Sequence, residues 1–292
     1  MHNKSMTMFR KGQNYRIFIA GQVVVEETSC TVTRGVDTQD AANKDTTYDS
    51  TVAGIGGAYP VATFKNMQFQ VEAQGLGAKK LFQMAFAMMN ATGGPIGWAE
   101  TSGAANPGEH NREGTPTYVR AICNDLTISA PNRQPITCSA QFTVIPGTVS
   151  EIPTVAASAA TRPVLNGEFL RLFFGNRVVA KATNVSVHYS LSLEDETTKD
   201  ITSSGAGRID YKAQAPTQLN YDITSECLYD GGLDSLTEGD EYDWELSDAS
   251  GDGQATEGQV LCGGTAMLTS LVANAPVNQN VTYSATFTGI GA

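Results

Sequence analysis

The sequence repeats itself, and that repeat constrains the fold more than any other feature. Residues 16–47 align without a gap with residues 171–202, a shift of 155, and ten of the 32 positions are identical, Arg16/Arg171, Phe18/Phe173, Val23/Val178 and Lys44/Lys199 among them. A second block, ITCSAQFTVI from Ile136, matches VTYSATFTGI from Val281 at a shift of 145, and each is preceded by an Ala-Pro turn, Ala130-Pro131 and Ala275-Pro276. Between them, MQFQVEAQGL from Met67 resembles LNYDITSECL from Leu219 at a shift of 152. Matching blocks stand in the same order at the start, middle and end of each half, so each half reads as a whole structural unit. The falling shift leaves the second copy about ten residues shorter between its first and last strands.

The expected organisation is therefore a first domain over 1–150, a linker over 151–163 and a second domain over 164–292. The stretch 146–163, rich in Pro, Ser, Thr and Ala, carries the boundary. With 41% apolar residues, each half can bury a core. Frequent Thr, Ser and Gly and few charges favour strands and turns over long helices. Each half opens on a hairpin pattern. In the first, Tyr15, Ile17 and Ile19 alternate with small or polar residues, Gly21-Gln22 turns, and a strand runs over 23–36. In the second, Leu170, Leu172 and Phe174 alternate, Gly175-Asn176 turns, and a strand runs over 178–191. Long polar loops follow, 37–57 and 192–214. Apolar spacing predicts a buried helix over 78–90, stopped by Thr92-Gly93-Gly94, with a shorter counterpart over 233–238. The fold class expected is mainly β: two tandem sandwich or barrel domains, each with one flanking helix.

Chemistry-bearing motifs are absent or incomplete. Five cysteines, at 30, 123, 138, 227 and 262, form no CxxC pair, and the three histidines are scattered. Asp248, Ser250, Asp252 and Gly253 mimic the start of a calcium loop, but Gln259 stands where the bidentate Glu belongs, so a hairpin turn is the better reading. The glycine-rich stretches lack the phosphate-loop spacings. Neighbouring acids such as Glu26-Glu27 and Asp240-Glu241 point to opposite faces of a strand and read as solvated charge. These readings give a chain that is not an enzyme and takes no cofactor and no metal. Residues 1–12 show no apolar core with a cleavage site, and no stretch reaches membrane-spanning length, which leads us to expect a protein kept soluble in a cytoplasm.

The net charge of −11 is unevenly placed. Residues 1–155 hold 12 Lys/Arg against 12 Asp/Glu, whereas residues 156–292 hold 7 against 18. A chain of this kind does not bind nucleic acid by neutralising phosphates.

Two patterns carry a family resemblance. One is the early Thr-rich hairpin that ends in a Lys-Asp pair, Lys44-Asp45 and Lys199-Asp200. The other runs over 264–289: Gly-Thr-Ala-Met-Leu-Thr-Ser-Leu, then Ala-Pro, then Val-Thr-Tyr-Ser-Ala-Thr-Phe-Thr-Gly. Together they resemble the major tail tube proteins of long-tailed, siphovirus-type bacteriophages. The resemblance implies a structural protein of the virion tail, assembled in the host cytoplasm. It implies β-barrels with a flanking helix, joined by inner strands into stacked sixfold rings through which genomic DNA passes without specific binding. Its implied partners are further copies of itself, the tape measure protein, and tail terminator or baseplate proteins; no membrane is involved. Two units per chain imply three chains per pseudo-hexameric ring. Lys44, Asp45, Lys199 and Asp200 are candidates either for contacts between subunits or rings or for local loop capping. Asp222, Glu226, Asp240, Glu241 and Asp243 are candidates either for an acidic lumen that repels DNA or for an outer, solvated face. Another ring-forming tail component (terminator or baseplate) and a tandem Ig-like binding or adhesion protein are the alternative readings.

Overall fold

The computed structural model describes residues 15–40, 60–103, 110–112, 117–149, 165–175, 177–196, 210–229, 232–248 and 259–291. It is mainly β and, one isolated bridge aside, antiparallel. The first half contains β1 (Tyr15–Ile19), β2 (Gln22–Val23), β3 (Glu27–Asp40), β4 (Pro60–Gln74), α1 (Gly75–Phe86), β5 (Gly94–Gly103), β6 (His110–Arg112), β7 (Thr117–Ser129) and β8 (Thr137–Val144). The second contains β9 (Leu170–Phe174), β10 (Arg177–Val178), β11 (Ala182–Asp195), β12 (Gln214–Leu228), β13 (Glu241–Asp248), β14 (Gln259–Asn274) and β15 (Thr282–Gly289). The expected linker, 151–163, lies outside the described residues. Among those residues no helix is long and apolar enough to cross a membrane.

Strand pairing follows the same plan in both halves. In the first the order is β2-β1-β5-β7-β8-β4-β3, and in the second β10-β9-β13-β14-β15-β12-β11. Register agrees residue by residue. Ile19 faces Ile96 as Phe174 faces Trp244, and Thr137 faces Ser129 as Thr282 faces Asn274. The irregularities recur too. An extra residue, Asn124 in β7 and Thr269 in β14, interrupts the ladder at the same place, 145 residues apart. Glu26 and Lys181 share a left-handed conformation, φ 51° and 52°, just before the long strands β3 and β11. Bulges re-aim a strand, so their recurrence marks a shared curvature as well as a shared order.

The register corrects the middle of the sequence alignment. Ala73 faces Glu27 as Cys227 faces Ala182, and Met67 faces Arg34 as Tyr221 faces Tyr189. Met67 therefore corresponds to Tyr221, a shift of 154 rather than 152. Alternation of period two is satisfied equally well after a slip of two residues, and only the hydrogen-bond ladder decides between them. Most of the shortening falls in the helix region instead. The second half has a 3-10 turn, Leu233–Ser235, where α1 stands in the first.

Two other expectations shift. The strands expected over 23–36 and 178–191 are each divided: a short strand ends at Val23 or Val178, and the long one starts only after the turn at Glu26 or Lys181. The helix runs 75–86, not 78–90. It begins early because Gly75 donates its N–H to the Ile136 carbonyl at 2.7 Å. It ends early because the Met88 carbonyl accepts the N–H of Cys123 in β7 at 3.2 Å, which draws the chain out of helical path.

One apolar cluster spans both halves, from Phe69, Phe82 and Phe142 to Trp244 and Phe287. The alternating residues of β4, β8, β11, β12 and β15 supply its inward face and leave Ser, Thr, Asn, Gln and acids on the other.

Candidate assembly surface

The two halves meet strand to strand. Residues 125–129 of β7 lie antiparallel against residues 186–190 of β11, with Leu126 opposite Tyr189 and Ile128 opposite Val187. The turn after β7 extends this seam: Ala130 donates its N–H to the Val185 carbonyl at 2.7 Å, and Asn132 donates to Thr183 at 2.9 Å. Gly167 closes on the same turn, where a Cβ would run into the Pro131 carbonyl. On the polar face the seam carries one side-chain pair, His188 Nε2 to Asp125 Oδ2 at 2.9 Å.

Helix α1 covers the other face of the seam. Phe82 and Phe86 stack on one another, and Phe86 meets Tyr189 of β11 edge-on with centroids 5.1 Å apart. Lys79 reaches across to Asp248 of β13 at 2.5 Å, both side chains nearly buried. Asp248, the first residue of the calcium-like motif, is thus the partner of a lysine. Residues 249–258 of that motif lie outside the described residues.

Each half has the same two edges, and the seam uses only one of each. β7 pairs with β5 through residues 117–121 and then passes its remaining edge to β11. β14 pairs with β13 through residues 259–267, and among the described residues nothing continues the ladder along 270–274. β3 likewise pairs with β4 alone, although it occupies the place of β11. Among the described residues, two equivalent edges, one on β14 and one on β3, are therefore left without a strand partner.

A continuous polar face runs across this arrangement. One row of facing residues reads Glu241, Met267, Thr288, Asp222, His188, Thr127, Ser139, Glu72 and Ser29, nine strands from end to end. Over residues 66–74 of β4, 125–129 of β7, 184–192 of β11 and 218–226 of β12, and over β8 and β15, this face is built of Ser, Thr, Asn and Gln with Glu72, Asp125, Asp222, Glu226 and His188. It holds no Lys or Arg among the described residues. Asp222, Glu226, Glu241 and Asp243 share it and are exposed. Asp222 accepts the Thr288 hydroxyl at 3.0 Å, and Asp243 the Thr265 hydroxyl at 2.9 Å. Asp240 does not share it, because it precedes β13 in a turn. Glu72 and Asp125, from the charge-neutral half, join the face although no sequence motif marks them; strand alternation on either side of a known register is the signal that finds them. Lys44, Asp45, Lys199 and Asp200 lie outside the described residues.

Glu26 and Glu27 are not simply solvated. The Glu26 carboxylate accepts the N–H of Gly77 at 2.9 Å, in the first turn of α1, where a negative charge meets unpaired donors. Glu27 accepts the N–H of Ile17 at 3.2 Å, and burial raises its pKa above 4.5. All five cysteines are free thiols. Burial pushes Cys30 and Cys262 up to about 12 and Cys123 and Cys138 well above their ordinary value, so these four stay protonated and weakly nucleophilic at neutral pH. Among the described residues no group of His, Cys, Asp and Glu could hold a metal ion. No protein-family model and no curated protein sequence matches the chain.

Proposed function

We propose that this chain is the ring-building subunit of a bacteriophage tail tube, a structural protein whose copies close into rings and whose rings stack into the conduit for DNA. The observation that carries the proposal is the β7–β11 seam together with the two equivalent edges, on β14 and β3, that no described residue pairs. A subunit that has already joined two equivalent units edge to edge, and still offers the same two edges, is built for a heterologous contact. Exposed edges are otherwise a hazard that proteins cover.

The two halves take the role of two tandem tube-type units, so three chains complete a pseudo-sixfold ring. The polar face suits a lumen. Hydroxyls and amides offer no fixed positive charge for phosphates to neutralise, and the acids among them repel DNA and keep it moving. In this role the partners are other copies of the chain, a tape measure protein inside the tube, and terminator and baseplate proteins at its ends. A terminator or baseplate ring would stop at one layer, whereas a tube subunit polymerises without limit.

Negative-stain microscopy of the purified chain over rising concentration tests the reading. Rings and stacked tubes with a central channel are expected; dispersed single chains at the highest concentration contradict it.

A further inference from the structure

Beside the edge of β3 that no described residue pairs lies a cavity of about 520 Å³, lined by Tyr15, Arg16, Glu27, Thr28, Ser29, Cys30 and Val32. The register fixes what this cavity is. Thr28 and Cys30 stand where the second half has Thr183 and Val185. Those two residues accept the backbone N–H groups of Asn132 and Ala130. In the second half, then, the slot is filled by the Ala130-Pro131 turn of the first. In the first half no described residue fills the same slot.

The corresponding turn of the second half, Ala275-Pro276, is bare. Leu126, Ile128 and Ala130 are buried in the seam, whereas their counterparts Leu271, Ala273 and Ala275 are half-buried, exposed and exposed. On the receiving side Val185, Val187 and Tyr189 are buried, whereas Cys30 and Val32 are half-buried and Arg34 is exposed. Each place that is covered once inside the chain is uncovered once at its ends. Val272, 54% exposed, and Val277, 87% exposed, add apolar surface beside the same bare turn.

We propose that the slot beside β3 is the receptor for the Ala275-Pro276 turn of a second copy of this chain, with residues 270–274 of that copy laid antiparallel along residues 31–35. Copying the internal register puts Asn274 opposite Thr31, Val272 opposite Thr33 and Ser270 opposite Gly35. The Ala275 N–H then meets the Cys30 carbonyl, as the Ala130 N–H meets that of Val185. This deepens the ring reading and rests on it for closure of the ring, while the joint itself is drawn from the seam inside the chain.

The joint between chains is not a replica of the one within. Tyr189 lies under the aromatic pair of α1. Its counterpart Arg34 stacks on Trp98 at 4.4 Å, and the half that would cover it has only a 3-10 turn in place of the helix. A guanidinium tolerates that thinner cover because its rim reaches water while its face packs on the indole. The His188–Asp125 pair likewise has Thr33 and Ser270 at its place, so the joint between chains needs no ion pair and is expected to resist salt.

A disulfide test fits the proposed register. Residues directly opposite on antiparallel strands have Cα atoms about 4.5–5.5 Å apart, within the disulfide range. The full chain carrying both Thr33→Cys and Val272→Cys is expected to give, on mild oxidation, chains linked end to end on a denaturing gel, while each single variant gives unlinked chains. A second variant, Ala275→Glu, places a charge on an exposed turn, so the free chain should melt as before while assembly weakens at least about tenfold. Rings that form without linkage in the double variant overturn the register and leave the ring reading standing. Linked open chains that never form rings support the register and overturn the ring reading. Full assembly by Ala275→Glu, or a chain that stays single under all conditions, overturns the proposal.

Discussion

Single residues decide how firmly the two halves are locked. The Lys79–Asp248 pair joins α1 to β13 with little exposure to water. Removing one member takes a charged partner from the other, largely buried side chain, a loss that reaches about 3–5 kcal/mol when burial is complete and no partner remains. Lys79→Met should lower stability by about 3 kcal/mol in urea unfolding, and adding Asp248→Leu should restore most of that loss. Glu27 gives a pH-dependent counterpart. Burial raises its pKa in the folded chain above 4.5, so the folded state holds the proton more tightly than the unfolded one. That contribution is fully present below 4.5 and is lost as pH rises through the folded value. Glu27→Gln can keep a side-chain carbonyl for the Ile17 N–H without the charge. It should therefore gain stability relative to the natural chain as pH goes from 4.5 to neutrality, read as the difference in urea midpoints, and a difference independent of pH would contradict this.

At the scale of elements, α1 is what distinguishes the halves. Its first turn is capped by Glu26 from fifty-one positions upstream. The second half has Lys181 at that place, and the helix gives way to a short 3-10 turn. Replacing Glu26 with Ala should cost about 1 kcal/mol, the usual value of an N-terminal cap, measured by thermal unfolding. Phe82 is fully buried and lies across the seam near Tyr189, so Phe82→Ala should cost about 3–5 kcal/mol.

These elements also show how far sequence reading reaches. The hairpins, the long strands and the Ala-Pro turns were legible because period-two alternation and turn residues are local signals. The middle register was not, since a slip of two residues keeps every apolar side chain on its face. The helix was placed late, because Gly75 and Gly77 look like breakers until Glu26 and the Ile136 carbonyl, distant in sequence, are brought to them. Four of the five acids that were candidates for a lumen or for an outer, solvated face share one face of the sheet, and Glu72 and Asp125 share it too, unmarked by any motif because only the row in the sheet places them there.

For the whole molecule, the internal seam is the structural joint of the chain and, in the proposed ring, the pattern for its assembly. One half carries no net charge and the other carries all of it, and one seam has a helix over Tyr189 while its counterpart has Arg34 on Trp98. Duplication within one chain lets neighbouring positions around a ring differ in these ways, which a ring of six identical single units cannot do. The number of chains in one ring is the measurement that tests this account most directly. Native mass of isolated rings, with averaged images of the same sample, should show three chains and six similar lobes around a channel. Six chains in the ring, or no ring at all, would contradict it.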